Sequence, residues 1–222
     1  MNLNKHLDFI QPAQYSKPIH IIGVGAIGSR VAELLVRLGF NNINIYDFDT
    51  VEDVNVTNQL YTQFDIGALK IDALQGHLVN INPLVSLAKH ERYTNQKLNG
   101  AVFLCVDSIN LRRNIVEQAL MNNKIDVMFD MRMRLTDGQG YAAIWSNKVH
   151  VEKFLNSMAF DDEDDMTPVS VCGTTLSVAP TVLTLVSAQI MNFISYIKTQ
   201  TIKQVIFLDL MDFRLSAFSY TK

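Results

Sequence analysis

The sequence predicts an α/β fold, in which a mainly parallel sheet carries helices on both faces and continues into antiparallel strands in the C-terminal half. A short apolar run at 19–22 enters a glycine-rich turn, and an amphipathic helical pattern leaves it. A second, continuously apolar run at 101–106 ends at Asp107, which is typical of a central parallel strand. Beyond it, Gly138-Gln-Gly140 introduces short alternating segments, which indicate antiparallel strands.

The first strand, the turn and the start of the first helix are predicted from the run Ile19-His-Ile-Ile-Gly-Val-Gly-Ala-Ile-Gly-Ser29. Gly23 permits the tight turn, Gly25 lets the backbone approach a phosphate, and Gly28 lets the helix pack closely on the strand. The helix N-terminus then faces an anion. The next strand ends in the acidic pair Asp47-Phe-Asp49, and an acid in that place completes a Rossmann-like nucleotide-binding pattern.

The remaining patterns extend this sheet within one domain. Asp65 is expected to cap a helix that carries Lys70 and continues to Ile81, and an apolar helix is expected at about 178–198. Further strands are expected at 85–88, 127–129, 141–145, 148–151, 204–208 and 213–220. We treat residues 1–222 as a single domain, with a nucleotide-binding half at 19–130 and an antiparallel extension, crossover loop and long helix at 131–222.

Composition narrows the classes of function. A net charge of -3 argues against a nucleic-acid partner, because no continuous basic surface is encoded. Two cysteines form neither a disulfide framework nor a zinc motif, so a reducing, cytoplasmic location is the expectation. The N-terminus lacks the long apolar core of a signal peptide. The apolar stretch 176–197 is interrupted by Gln189 and Asn192, which favours a buried helix over a membrane span.

A set of polar side chains is expected around the glycine turn, because each follows a predicted strand or begins a predicted helix. These are Asp47, Asp49, Asn55, Gln59, Lys70 and Asp107. Carboxylates with one amine suit a triphosphate and Mg²⁺, since the metal prefers oxygen ligands and the amine neutralises phosphate charge. Asp47 can hold ribose hydroxyls, which also keeps an NAD-dependent oxidoreductase as an alternative.

The order of these motifs resembles the ThiF/MoeB/HesA adenylyltransferases, relatives of the ubiquitin-activating enzymes. The shared order is the glycine turn, Asp-Phe-Asp-x-Val-Glu, Asn-x-x-x-Gln, Asp-Ile-Gly-x-x-Lys and an apolar strand ending in Asp, and it spans about 19–198. The resemblance implies adenylation of the C-terminal glycine of a ubiquitin-like or sulfur-carrier protein with ATP and Mg²⁺, releasing pyrophosphate. It also implies a homodimer. The chain shows no rhodanese or ubiquitin-like extension, so we expect the Gly-Gly carrier in trans, and we expect no membrane partner.

The resemblance also assigns roles to individual residues. The three glycines of the turn would line the phosphates, and Asp47 would bind the ribose. Asn55 and Lys70 would contact phosphate oxygens, while Asp107 would hold Mg²⁺ or orient the attacking group. Cys172 stands where thiamine-pathway members carry a cysteine that joins the carrier covalently. The alternative is a small apolar residue that packs at a helix entry, which adenylation permits because it does not need this cysteine.

Two departures from the family pattern matter. The family has an arginine before the Gln of its Asn-x-x-Arg-Gln element, and this chain has Asn58, a form of the type found in phages and mobile elements. The candidates to replace it are Arg30, Arg112, Arg113, Arg132 and Arg134. Without a replacement, the chain would be a catalytically weakened nucleotide-binding partner. Paired C-x-x-C motifs are absent, so we expect no structural zinc.

Three other groups have simpler interpretations. Cys105 lies in an apolar strand and is expected to be structural. The acidic run at 161–165 is expected to be a solvated loop. Arg132 and Arg134 follow a predicted strand end, where they would meet a carrier C-terminus or a phosphate, or simply face solvent.

Overall fold

The structure is a computed structural model that describes residues 1–162 and 177–220. Eight strands form one sheet in the order β3-β2-β1-β4-β5-β6-β7-β8. The strands are β1 (Ile19–Ile22), β2 (Asn42–Tyr46), β3 (Ser86–His90), β4 (Gly100–Leu104), β5 (Ile125–Met133), β6 (Asp137–Ile144), β7 (Val205–Asp209) and β8 (Arg214–Phe218). β1 to β5 run parallel and β6 to β8 continue antiparallel, so the predicted fold class is confirmed.

Helices cover both faces of this sheet. They are α1 (Ala26–Arg37), α2 (Lys70–Ile81), α3 (Ile109–Ala119), α4 (Lys148–Asn156) and α5 (Ala179–Thr199). Short 3-10 helices span Pro12–Gln14, Asp53–Thr57 and Gln63–Asp65. One apolar core joins α1, α2 and α5 to the sheet, and a second joins α3 and α4 to its other face.

α5 is the long apolar helix expected from the sequence. By length and composition alone it is able to cross a membrane. Its apolar face packs against α1 and the sheet, and Val182, Val186 and Phe193 are completely buried there. The ring of Phe193 lies edge-on to Phe103 and Phe129 of the central strands, at centroid distances of 5.6 and 5.8 Å. These contacts are typical of a core helix.

The prediction of a strand at 148–151 is wrong, because these residues begin α4. The β-branched Val149 and Val151 resemble a strand locally. Asn147, however, caps the helix by accepting hydrogen bonds from the backbone N–H groups of Val149 and His150, at 3.0 and 3.3 Å. Phe154, one turn later, is buried in the second core, and tertiary packing decides the local conformation.

The prediction that Asp65 caps α2 is also wrong. Its carboxylate accepts a hydrogen bond from the backbone N–H of Thr62 at 2.7 Å within the preceding 3-10 helix, and it pairs with His77 at 2.8 Å. Gly67 then adopts φ +87°, which no right-handed helix passes through. Consequently α2 begins only at Lys70.

Candidate nucleotide site

The glycine turn lies at the carboxyl end of β1 and is closed on one side and open on the other. Gly23 adopts φ +87°, and a Cβ atom there would lie 2.8 Å from the backbone of Cys105. A Cβ atom on Gly28 would lie 1.9 Å from the carbonyl oxygen of Gly23. Gly25 precedes α1, and a Cβ atom there would meet nothing within 4 Å. The turn therefore packs tightly behind and presents free space in front of the helix N-terminus.

Asp47 is fixed against this turn. Its Oδ2 accepts a hydrogen bond from the backbone N–H of Val24 at 2.7 Å, and its Oδ1 accepts one from that of Asp49 at 2.9 Å. Burial raises the pKa of Asp47, while the two backbone donors act in the opposite direction. Tyr61 also holds this turn, because its hydroxyl donates to the carbonyl of Val24 at 2.7 Å. Tyr61 belongs to no motif, and the sequence offered no signal for it.

Lys70 and Asp49 form the charged pair of the site. The Lys70 ammonium lies 2.8 Å from Asp49 Oδ2, and the Lys70 backbone N–H donates to the Asp49 carbonyl at 2.9 Å. Lys70 is only 7% exposed, whereas the Asp49 side chain is half exposed. A buried ammonium with an exposed carboxylate partner is able to exchange part of that pairing for an incoming phosphate.

The polar segment at 55–59 meets α1 from the side. Asn55 Oδ1 accepts a hydrogen bond from the backbone N–H of Glu52 at 2.9 Å, so this side chain caps its own 3-10 helix. Asn58 donates its amide to the Ser177 hydroxyl. The Nη2 group of Arg30 donates to the Gln59 carbonyl at 2.9 Å.

Three buried polar atoms in this region have no hydrogen-bond partner within the described ranges. They are Arg30 Nε, Asn58 Oδ1 and Gln59 Oε1, and we call these three residues the open cluster. Native proteins rarely leave such atoms unpaired. A polar ligand that both accepts and donates hydrogen bonds would satisfy them. A nucleotide with its phosphate oxygens and ribose hydroxyls has this character, so the residues present fit ATP.

Asp107 lies on the turn after β4, next to the glycine turn. It is exposed, and its Oδ1 accepts a hydrogen bond from the backbone N–H of Ser108 at 2.9 Å. Buried Cys105, two residues earlier, is in contact with Gly23, which brings the two turns together and agrees with its expected structural role. Burial raises the pKa of the Cys105 thiol.

In the described part of the chain, no three His, Cys, Asp or Glu side chains cluster to bind a metal ion. Mg²⁺, however, needs only one or two carboxylates beside phosphate oxygens, and the Asp107 carboxylate fits this requirement.

A second group of charged side chains lies at the same edge and was not anticipated. Asp130 is completely buried in β5 and pairs with both Arg112 and Arg132, and we call these three residues the closed cluster. Arg112 also donates to the carbonyls of Val106 and Met131. The predicted strand ended at Phe129, and the polar residue directly after it was the signal that would have identified Asp130.

Arg132 is partly buried, with 16% of its side chain exposed. Its Nη1 donates to the Ser157 carbonyl at 2.7 Å, and its guanidinium lies 4.6 Å from the centre of the Tyr141 ring. Arg134, two residues on, is exposed.

The acidic run at 161–165 is partly described, and the two residues seen are not simply solvated. Asp162 accepts hydrogen bonds from the Ser108 hydroxyl at 2.7 Å and from the backbone N–H of Ile109 at 2.5 Å, at the start of α3. Asp161 pairs with Arg113 at 3.2 Å. Both residues are exposed, as expected for a solvated loop, and helix N–H groups and a guanidinium also hold their carboxylates.

The structure thus places Asp47, Asp49 and Lys70 at the turn glycines, with Asp107 on the adjacent turn, whereas Gln59 contacts Arg30 of α1. The side chain of Asn55 is bonded within its own helix. Cys172 lies outside the described residues.

The chain is similar to proteins of known sequence and structure. Ubiquitin-like modifier-activating enzyme 5 of Mus musculus is 31% identical over 116 residues, covering 44% of this chain and 29% of that protein. The Caenorhabditis briggsae protein of the same name is 35% identical over 88 residues, covering 40% and 20%. The chain thus spans less than a third of these relatives.

Solved structures resemble the whole fold. The crystal structure of E. coli MccB with ATP superposes with a TM-score of 0.71 at 16% identity, covering 93% of this chain and 64% of that one. PaaA superposes with the same TM-score at 15% identity, covering 97% and 68%. The ThiF family matches residues 11–222, nearly the entire sequence. The chain belongs to the ThiF family.

Proposed function

We propose that this chain uses ATP and Mg²⁺ to adenylate the C-terminal glycine carboxylate of a small ubiquitin-like or sulfur-carrier protein supplied in trans. The observation that carries the proposal is the open front of the glycine turn at Gly25, bordered by the fixed Asp47 carboxylate and the buried Lys70 ammonium. Helix N–H groups and an ammonium suit a polyphosphate, and a carboxylate suits ribose hydroxyls.

The names of related proteins support this reaction class. The curated relatives are called ubiquitin-like modifier-activating enzymes, and MccB has been solved with ATP and also with an ATP analogue and MccA. The identity of the carrier is our proposal, because the sequence matches cover less than a third of those relatives.

The chemistry explains the arrangement of charge. A carboxylate oxygen attacks the α-phosphorus of ATP, the bond from that phosphorus to the bridging β-phosphate oxygen breaks, and pyrophosphate leaves with the electron pair. Both reactants are anions, so their repulsion is the first barrier. Lys70 and the N-terminus of α1 lower it by binding phosphate charge. Mg²⁺ held by Asp107 supplies additional positive charge when it is bound.

The test is ATP–pyrophosphate exchange with MgATP and a panel of carrier proteins that end in Gly-Gly. Carrier-dependent exchange is expected, and Asp107→Asn should reduce it by about a hundredfold or more. Because Asp107 is exposed, the variant should keep the unfolding free energy of the wild type. ATP binding without exchange for any carrier would instead favour a nucleotide-binding partner, the reading that Asn58 supports. Preferential NAD binding would contradict both.

We also propose that the chain acts as a homodimer. Its edge strand β8 is exposed along its whole length, and Phe213, Leu215 and Phe218 present apolar surface there. Exposed apolar patches of this kind mark interfaces. Sedimentation velocity should detect a dimer that Phe213→Ser with Leu215→Ser weakens, whereas a wild-type monomer at micromolar concentration would contradict the proposal.

A further inference from the structure

The open cluster contains an unused hydrogen-bond donor on a cation. Arg30 Nε is buried and has no partner among the described residues, while Nη1 pairs with Glu33 at 3.0 Å and Nη2 donates to the Gln59 carbonyl at 2.9 Å. The two terminal nitrogens of the guanidinium are thus bonded, and Nε is not. Nε–H forms a hydrogen bond only when an acceptor enters the site.

Arg30 lies in α1, the helix that begins directly after the glycine turn. It lies five residues after Gly25 in the sequence, which corresponds to about 7.5 Å along a helix axis. The preceding residue, Ser29, accepts a hydrogen bond from the backbone N–H of Leu60 at 3.2 Å. Segment 58–60 is therefore fastened along α1, and the guanidinium lies between that segment and the helix.

The charge of Arg30 is only partly neutralised. Glu33 pairs with Arg30 and also with Arg37, at 3.0 and 2.9 Å, so one carboxylate serves two guanidiniums. The side chain of Arg30 is 21% exposed, against 56% for Arg37. Arg30 is the one that is shielded from solvent, where electrostatic attraction to an anion is stronger.

Three other cations near the site, Lys70, Arg112 and Arg132, are already paired with carboxylates. Lys70 is paired with Asp49, and Arg112 and Arg132 are bonded to Asp130 and to backbone carbonyls. Within the described ranges, Arg30 Nε is the guanidinium nitrogen that is both buried and unpaired.

We infer that Arg30 donates its Nε–H to the polyphosphate of bound ATP and so supplies from α1 the guanidinium that Asn58 does not supply from segment 55–59. This inference rests on the proposed function, and it selects Arg30 from the five arginines that the sequence leaves as candidates. The adjacent amide oxygens of Asn58 and Gln59 then accept hydrogen bonds from the hydroxyls or the hydration of the same nucleotide.

The test is calorimetric titration of the full chain with MgATP and, separately, with AMP. Arg30→Ala should weaken MgATP binding by about tenfold or more, as expected for loss of a charged hydrogen bond. AMP binding should change by less than about threefold, because the contact is to the polyphosphate. Arg37→Ala, which removes the exposed partner of the same Glu33, is the matched control and should stay within about twofold of wild type.

Relocating the charge gives the sharpest result. Arg30→Ala combined with Asn58→Arg should recover MgATP affinity to within about threefold of wild type, because either position delivers a guanidinium to the same space. If Arg30→Ala fails to fold, Arg30→Gln, which keeps a donor for the Gln59 carbonyl, replaces it in the test and should weaken MgATP binding by about tenfold or more.

The inference is overturned if Arg30→Ala binds MgATP as tightly as wild type, or if MgATP and AMP lose affinity equally. In either case, carrier-dependent exchange by the wild-type protein would still support the proposed function without a role for Arg30. Wild-type protein that binds no MgATP would overturn both.

Discussion

The two arginine clusters at the carboxyl edge of the sheet differ in how completely their polar atoms are paired. In the closed cluster, buried Asp130 accepts from two guanidiniums, which also donate to backbone carbonyls and to the Ser157 hydroxyl. In the open cluster, a donor and two acceptors are buried without partners among the described residues. A satisfied buried network stabilises a fold, whereas an unsatisfied one at a cleft is ready for a ligand. The comparison predicts that substitutions in one change stability and substitutions in the other change nucleotide binding.

The largest expected effect comes from breaking the closed cluster. Asp130→Ala leaves two guanidiniums without their buried carboxylate, and it should lower the free energy of unfolding by about 3–5 kcal/mol. Urea denaturation measures this loss. Asp212→Ala removes an exposed carboxylate 3.4 Å from Arg214 and serves as the control, with an expected change of less than about 1 kcal/mol. Equal losses for both variants would show that the buried cluster has no special role.

The next largest effect concerns the cation of the nucleotide site. Lys70→Ala should weaken exchange by about a hundredfold, because the buried ammonium is lost where phosphate charge accumulates. Lys89→Ala breaks a similar ion pair, 2.6 Å from Asp72, but at the surface. That control should keep wild-type exchange, and a comparable loss in both variants would argue for a nonspecific effect of charge.

Two glycines of one turn separate stability from binding most cleanly. Gly28→Ala places a methyl group 1.9 Å from the Gly23 carbonyl oxygen, so it should destabilise the fold by about 1–3 kcal/mol. Gly25→Ala meets no protein atom within 4 Å and should change stability by less than about 1 kcal/mol. The methyl group of Gly25→Ala occupies the free space before α1, so this variant should lose about tenfold in MgATP affinity. A Gly25→Ala protein with normal ATP affinity would contradict the assignment of that space to phosphate.

The smallest effect is a pH dependence of stability. His20 is buried in β1, where its ring nitrogens pair with the Tyr46 hydroxyl and Asn99 Oδ1, each at 2.9 Å. Burial lowers the pKa of His20 below its ordinary value, so the unfolded chain binds a proton more readily than the folded one. This contribution to stability is complete above about pH 6.5 and is lost as the pH falls toward the lowered pKa.

Thermal denaturation across pH 5–8 measures this contribution. Its slope for one proton is at most about 1.4 kcal/mol per pH unit. Comparing wild type with His20→Asn isolates the contribution from that of other histidines. Identical pH profiles of the two proteins would exclude it.

The sequence predicted the parallel half of the fold well because its signals are local. The glycine turn, Asp47 and Asp107 are each signalled by neighbours in the chain, and each follows the carboxyl end of a parallel strand, as expected. The strand assigned to 148–151 was wrong because an N-cap at Asn147 and burial of Phe154 outweighed β-branched residues.

The clusters could not be predicted because their contacts join distant segments. Arg112 meets Asp130 across 18 residues, and Arg30 meets Gln59 across 29. The sequence does not distinguish the two arginines. Only packing determines that the donors of Arg112 are paired and that Arg30 retains an unpaired Nε–H. The roles assigned to Asn55, Asp107 and Cys172, and the link to phage-type proteins, stay predictions.

The most direct test of the distinction is titration of MgATP into three proteins at a temperature where all are folded: wild type, Arg30→Ala and Arg132→Lys. We predict that Arg30→Ala loses about tenfold or more in affinity, while Arg132→Lys binds within about twofold of wild type but melts at a lower temperature. Loss of ATP affinity in Arg132→Lys together with normal affinity in Arg30→Ala would contradict the account.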